Sequence, residues 1–174
     1  MQHGSDILII GGGVIGLSTA FRLAEQGVSV TVVDRQRVGT EASWAGAGML
    51  PPGVSATATT PEARLRSYSY DMWEPFSTQL RELSGIDNGY RKCGAVEVGR
   101  AGAAVDSQIR EWQQEGLRCD PLDRAALERH VPGLQQQFQR GAFLPEFAQV
   151  RNPRHLRALT TACQNMGVEI LEEV

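Results

Sequence analysis

Three glycines and one aspartate near the start of the chain have the types and spacing needed to bind a dinucleotide. Gly11, Gly13 and Gly16 form the pattern G-x-G-x-x-G. The first glycine permits a sharp turn, the second leaves room for a pyrophosphate beside the backbone, and the third permits close packing of helix on strand. Asp34 ends the next apolar run, where its carboxylate can accept hydrogen bonds from both hydroxyls of an adenosine ribose.

The elements around these residues support that interpretation. Asp6 to Ile10 is a short apolar run, typical of a parallel strand buried on both faces. A helix is expected after the glycines, ending before Gly27, and residues 28–33 predict a second strand. The helix N-terminus would offer free N–H groups and partial positive charge to phosphates. The sequence therefore predicts an α/β fold that begins with a Rossmann-like βαβ unit.

The βαβ unit alone does not distinguish FAD from NAD, because both contain the ADP half. The segment that follows favours FAD. Residues 40–52 are almost all small around Trp44 and Met49, and the absence of periodicity continues to Thr59. Long structureless loops inside a compact domain are usually functional, and small side chains let a flat polar ring approach the backbone.

The segments GGGVIGLSTAFRLAEQGVSVTVVDR and ASWAGAGMLPP resemble the FAD-dependent D-amino acid oxidase superfamily of GR2-type flavoproteins. They are most like its glycine oxidase branch, which serves thiamine biosynthesis. YRKCGAVEV at residues 90–98 and residues 150–174 also fit, so the resemblance covers the whole chain and is strongest over residues 6–52. Gly46 is a mild departure, since the family often has alanine there.

The resemblance implies which residues lie along the FAD. Val14 and Ile15 match positions at the pyrophosphate, and Arg35 joins Asp34 at the adenosine. The positions matching the pyrophosphate, ribityl chain and flavin ring are Ala42, Ser43, Ala47, Gly48 and Met49. The implied reaction is the oxidation of a small amine or amino acid by hydride transfer to flavin, with oxygen as the final acceptor.

The resemblance also implies interleaved domains. Residues 1–85 would begin the FAD-binding domain, 86–148 an antiparallel substrate domain, and 149–174 a truncated return to the FAD-binding domain. The chain is therefore expected to be the N-terminal portion of a longer enzyme and inactive alone. No catalytic residue is predicted in it, since His3, His130 and His155 are isolated and interpreted as surface or helix-end residues. No metal-ligand spacing is present in the sequence.

Composition and charge exclude other classes. The net charge is −3 and the arginines are scattered, so no basic face for nucleic acid is expected. The longest apolar stretch, Ile7 to Leu17, is interrupted by glycines and too short to span a membrane. The first residues lack a cationic region typical of a secretory signal. Cys93, Cys119 and Cys163 suit a reducing, cytoplasmic compartment and are interpreted as buried small hydrophobes.

Further elements follow from periodicity and from helix start and stop residues. Helices are predicted over residues 60–84, 105–116, 123–130 and 152–166, and strands over residues 93–99, 141–144 and 168–171. The sequence leaves two alternative functions open. One is an NAD-dependent dehydrogenase or reductase, which would contain the same βαβ unit as residues 6–34. The other is a non-catalytic nucleotide-binding module, for which that unit alone would be sufficient. The sequence is also compatible with a homo-oligomer.

Overall fold

The computed structural model describes residues 4–100 and 103–174. Its strands are β1 (Ile7–Ile10), β2 (Val30–Val33), β3 (Met49–Leu50), β4 (Arg91–Lys92), β5 (Ala95–Arg100), β6 (Asp120–Leu122), β7 (Phe138–Leu144), β8 (Ala148–Gln149) and β9 (Glu169–Leu171). Its helices are α1 (Val14–Glu25), α2 (Ala42–Ala45), α3 (Pro61–Ser84), α4 (Ala103–Gln114), α5 (Arg124–His130) and α6 (Asn152–Asn165).

The chain forms two compact units. The first contains the chain through Gly48 together with Glu74–Tyr90 and Val150–Val174, and the second contains Met49–Trp73 and Arg91–Gln149. The boundaries predicted from the sequence, 1–85, 86–148 and 149–174, divide an FAD-binding domain from a substrate domain. That division by function remains a prediction. The α3 helix contributes its first part to the second unit and its last part to the first.

The first unit is built on a parallel sheet of order β1-β2-β9. Alternate residues of the strands, with Val32 at the centre, pack against apolar side chains of α1, α6 and the end of α3. Phe21 and Leu159 are fully buried there. The other alternate positions of β1 are open, with Leu8 59% and Ile10 86% exposed. One side of this sheet is thus a packed core and the other presents apolar side chains, so the prediction that this first strand is buried on both faces is wrong for this chain.

The second unit contains two small antiparallel sheets, of order β3-β8-β4 and β5-β7-β6. The β5–β7 pairing, the longest among the described residues, runs from Ala95 opposite Leu144 to Arg100 opposite Phe138. The core of the second unit consists of Ile109 on α4, Cys119, and Ala142 and Leu144 on β7. Among the described residues, no helix combines the length and apolar character required to cross a bilayer.

The structure confirms the predicted βαβ order and the longer helices. Thr60 begins α3 as predicted, since its Oγ1 accepts a hydrogen bond from the amide of Ala63 at 3.1 Å. The helix after the glycines begins earlier than expected, at Val14, so the motif itself forms the first helical turn. The segment predicted to be structureless, residues 40–59, contains all of α2 and all of β3. The short strands β4, β6 and β8 were not predicted, because two or three residues carry no periodic signal.

Two predictions about single residues are wrong. Cys93 is exposed, whereas Cys119 and Cys163 are buried as expected. His155 lies at a helix end as predicted, but a surface position is wrong: it is only 3% exposed, since the first turn of α6 lies inside the core of the first unit. His3 lies outside the described residues. Asn88 shares its side-chain amide between Ser77 Oγ at 3.0 Å and His155 Nδ1 at 3.3 Å, so a buried polar cluster accommodates the ring.

Burial of His155 predicts a loss of stability in acid. Desolvation lowers its pKa from 6.5 to about 4, so the folded chain holds the neutral ring while the unfolded chain takes up a proton below pH 6.5. The free energy of unfolding is therefore unaffected by protonation of His155 above pH 6.5. It decreases as the pH falls from 6.5 toward 4, because only the unfolded chain takes up the proton. The full shift corresponds to about 3 kcal/mol. Urea unfolding at pH 7.5 and pH 4.5 should show this decrease, and His155→Gln should reduce it. An equal decrease in the variant would assign the effect to other groups.

Candidate dinucleotide-binding site

The turn from β1 into α1 requires glycine at two positions. Gly11 has φ of 107°, a left-handed conformation that side chains disfavour, and its N–H donates to the carbonyl of Val33 at 2.8 Å. A Cβ on Gly16 would lie 1.9 Å from the carbonyl oxygen of Gly11. The first helical turn therefore lies directly against the end of β1, in agreement with the role expected of the third glycine.

The N-terminus of α1 is the centre of the candidate site. Gly13 occupies the N-cap position with φ of −78°, and its carbonyl accepts the first helical hydrogen bond, from Leu17, at 2.9 Å. The next residue, Val14, donates its N–H to Ser43 Oγ at 3.0 Å. Ile15 is 81% exposed, so this turn lies at the surface. A helix N-terminus of this kind carries unpaired amides and partial positive charge, both suited to a phosphate.

A side chain at position 13 would be crowded by Ser43. A Cβ built on Gly13 would lie 3.1 Å from Ser43 Oγ, closer than ordinary van der Waals contact. Its backbone conformation is available to any residue, so no strain would oppose a larger side chain there. Glycine at position 13 therefore keeps the space in front of the α1 N-terminus free, and the backbone conformation of the turn does not require it.

Asp34 follows β2 and holds the glycine turn. One carboxylate oxygen accepts from the amide of Gly12 at 2.7 Å, and the other accepts from the amide of Gln36 at 2.9 Å. The Gln36 bond, the Gly12 bond and the charge of Arg35 lower the pKa of the carboxyl below its usual value. Each carboxylate oxygen has a second lone pair, so both can still accept a ribose hydroxyl.

The remaining predicted residues lie along one segment. Ala42 and Ser43 belong to α2, Ala47 follows it, and Gly48 has φ of 71°. Ala42 and Ala47 are exposed, so the segment presents backbone and methyl groups at the surface. Met49 is 66% exposed and begins the second unit as the first residue of β3. Hydrogen bonding thus joins Ser43 directly to the helix end, and Met49 is not part of that cluster.

Two residues with roles in this site were missed. Gly12 donates to Asp34, and a Cβ there would lie 2.2 Å from a methyl group of Val38. The run of three consecutive glycines in the sequence could have indicated that position 12 also requires glycine. Asn152 donates from its side-chain amide to the carbonyl of Ser43 at 3.0 Å. The sequence showed Asn152 only as the start of a helix, because a partner so distant along the chain leaves no local pattern.

These hydrogen-bond donors and acceptors fit the diphosphate and ribose of a dinucleotide. Amides of a helix N-terminus, a glycine that leaves space beside them and a carboxylate at the end of the neighbouring strand occur together. In the described part of the chain, no group of three or more metal-ligating side chains occurs. Fold and site together define a dinucleotide-binding protein of the Rossmann-like class.

The chain belongs to the DAO family of FAD dependent oxidoreductases, which matches residues 6–174. It is 34% identical to the glycine oxidase of Pseudomonas aeruginosa over 92% of this chain and 44% of that protein. It is 33% identical to the bifunctional protein ThiO/ThiG of a Nostoc species over 97% of this chain and 26% of that protein. The cofactor of the family is FAD, in agreement with the prediction from the small-residue segment.

A solved structure shows the same fold. The crystal structure of glycine oxidase from Bacillus cereus superimposes with a TM-score of 0.85 at 31% identity, covering 98% of this chain and 46% of that one. The chain therefore spans less than half the length of these relatives. The family and the Rossmann-like fold follow from these matches.

Proposed function

We propose that this chain is the N-terminal part of an FAD-dependent enzyme that oxidises glycine or another small amine or amino acid. The observation that carries the proposal is the geometry at the α1 N-terminus, found in a chain whose relatives include glycine oxidases. Likeness to ThiO/ThiG supports a place in thiamine biosynthesis. The free thiols of all three cysteines are consistent with the cytoplasm.

The chain's own residues would bind and orient the cofactor. Amides of the first α1 turn would face the pyrophosphate, and Asp34 would hold the adenosine ribose while keeping its bonds to Gly12 and Gln36. Ala42, Ser43, Ala47, Gly48 and Met49 would follow the pyrophosphate, ribityl chain and flavin. Bound FAD would accept a hydride from the carbon that bears the amine and pass the electrons to oxygen. We propose no general base among these residues.

We further propose that the first unit is the FAD-binding domain and the second the beginning of the substrate domain. The first unit contains the parallel sheet, the glycine turn and Asp34, and it resumes at Val150, close to the expected return at residue 149. The second unit has antiparallel sheets, as expected for the substrate domain. An NAD-dependent dehydrogenase is not favoured, because the match to FAD dependent oxidoreductases covers residues 6–174.

The proposed function is tested by comparing the whole gene product with the 174-residue chain. The whole protein is expected to bind FAD stoichiometrically and to release hydrogen peroxide with glycine or a related amine. The chain alone is expected to bind FAD weakly and to release none, since it spans only 44% of a related glycine oxidase and leaves apolar side chains of β1 exposed. Exposed apolar surface should also promote self-association of the isolated chain.

Flavin fluorescence titration measures binding, and a peroxidase-coupled assay with glycine, sarcosine and D-alanine measures activity. A whole protein that binds FAD but releases peroxide with none of these amines would contradict the proposed substrate class. Tight binding and amine-dependent peroxide from the chain alone would show that the 174 residues form a complete enzyme.

A further inference from the structure

Asn152 connects the small-residue segment to the start of α6. Its Nδ2 donates to the carbonyl of Ser43 at 3.0 Å, across a separation of 109 residues. Asparagine side chains at helix starts commonly bond to nearby backbone, and this one is directed to a distant segment instead. The N-cap of α6 is Arg151, which forms no side-chain capping bond, so Asn152 does not serve as a cap.

The same side chain lies against two glycines of that segment. A Cβ on Gly46 would lie 2.3 Å from Asn152 Nδ2, and one on Gly48 would lie 3.0 Å from Asn152 Oδ1. The amide of Val150 also donates to the carbonyl of Gly48 at 2.9 Å. Residues 43–48 are therefore attached at both ends to the strip 150–152, and their backbone passes directly over the Asn152 amide. This contact explains glycine at position 46 without any contact to a ligand.

Ser43 connects this attachment to the helix end. Its carbonyl accepts from Asn152, and its hydroxyl accepts from the N–H of Val14 at 3.0 Å. Two hydrogen bonds in series thus join the N-terminus of α6 to the N-terminus of α1. Both bonds help to fix the segment over the α1 amides, because the segment is mostly exposed and built of small residues.

We propose that Asn152 is a positioning residue for FAD, holding residues 43–48 over the N-terminus of α1 through Ser43. The inference rests on the proposed cofactor site. Asn152 acts through the backbone of the segment and needs no contact with the cofactor. Its amide N–H is the required feature, since the partner is a carbonyl oxygen that only a donor can satisfy.

The variant that tests this proposal is Asn152→Asp in the whole protein. It keeps the size of the side chain, removes the donor and places a carboxylate beside the Ser43 carbonyl. A negative charge in the first turn of a helix is favourable, so α6 itself should not be weakened. A matched control is Asn165→Asp at the other end of α6, where the amide donates to the carbonyl of Leu83 at 2.8 Å. That control also loses an amide-to-carbonyl bond, but far along the helix from the segment.

Two measurements separate the outcomes. In cofactor-free protein, amide hydrogen exchange of Val14 and residues 43–48 should accelerate at least tenfold in Asn152→Asp and remain unchanged in Asn165→Asp. Flavin titration should then show at least tenfold weaker FAD binding for Asn152→Asp, with an altered visible spectrum, and unchanged binding for Asn165→Asp.

Unchanged exchange or unchanged FAD affinity in Asn152→Asp would overturn the positioning role. Equal losses in both variants would also overturn it, because the effect would then come from α6 as a whole. A wild-type protein that binds no FAD would instead overturn the proposed function, whatever the exchange data show.

Discussion

Replacing Gly13 with valine is expected to abolish FAD binding by the whole protein while leaving its fold intact. The backbone at this position, with φ of −78°, accepts valine without strain. The added atoms would occupy the space in front of the α1 N-terminus, where the pyrophosphate is proposed to lie. We expect at least a hundredfold loss of affinity in a flavin titration, with a far-ultraviolet circular dichroism spectrum like that of the wild type.

A double variant tests whether the valine acts by contacting the protein or by obstructing the cofactor. Ser43 Oγ lies 3.1 Å from a Cβ at this position, so the first contact is within the protein. Combining Gly13→Val with Ser43→Ala removes that contact and should still give a flavin-free protein, since the obstruction to the pyrophosphate remains. Flavin binding restored in the double variant would mean that Gly13 does not adjoin the cofactor.

The second large effect is expected from Asp34→Ala. The change removes the acceptor proposed for the ribose and also the bonds to the amides of Gly12 and Gln36, at 2.7 and 2.9 Å. Hydrogen bonds to charged groups contribute about 1.5–3 kcal/mol each. We therefore expect at least a tenfold loss of FAD affinity in the whole protein, together with a lower free energy of unfolding in urea.

Asp6→Ala is the matched control for the loss of stability. Asp6 also uses its carboxylate to accept a backbone amide, from Ser29 at 3.1 Å, but just before the start of β1 and so at the opposite end of the strands from Asp34. Its removal should lower stability and leave FAD affinity unchanged. Equal losses of affinity in both variants would show that Asp34 acts only through the fold. Unchanged affinity in Asp34→Ala would remove it from the site.

Local pattern predicted the βαβ unit well because its determinants are close together in the sequence. Gly11, Gly16 and Asp34 each follow from the geometry of one strand, one turn and one helix, and the structure places all three in that geometry. The helix over residues 60–84 followed equally from its N-cap and periodicity. These features require no knowledge of distant contacts.

The rest could not be predicted because it depends on distant contacts. His155 is buried by side chains of α3 and by Asn88, and nothing in its own neighbourhood marks it as internal. Asn152 reaches Ser43 across 109 residues. The two-residue strands β3, β4 and β8 exist only because β8 pairs with both of the others. In each case the determining partner lies in another segment of the chain.

The pairing of β2 with β9 has a consequence for the order of folding. The β1, α1 and β2 elements lie within the first 34 residues, whereas Thr31 meets Glu169 across a separation of 138 residues. Contacts of short separation form fastest, and synthesis proceeds from the N-terminus. The glycine turn and its Asp34 bonds can therefore assemble on the ribosome well before β9 is made. During that interval β2 is an edge strand, open to pairing with other chains.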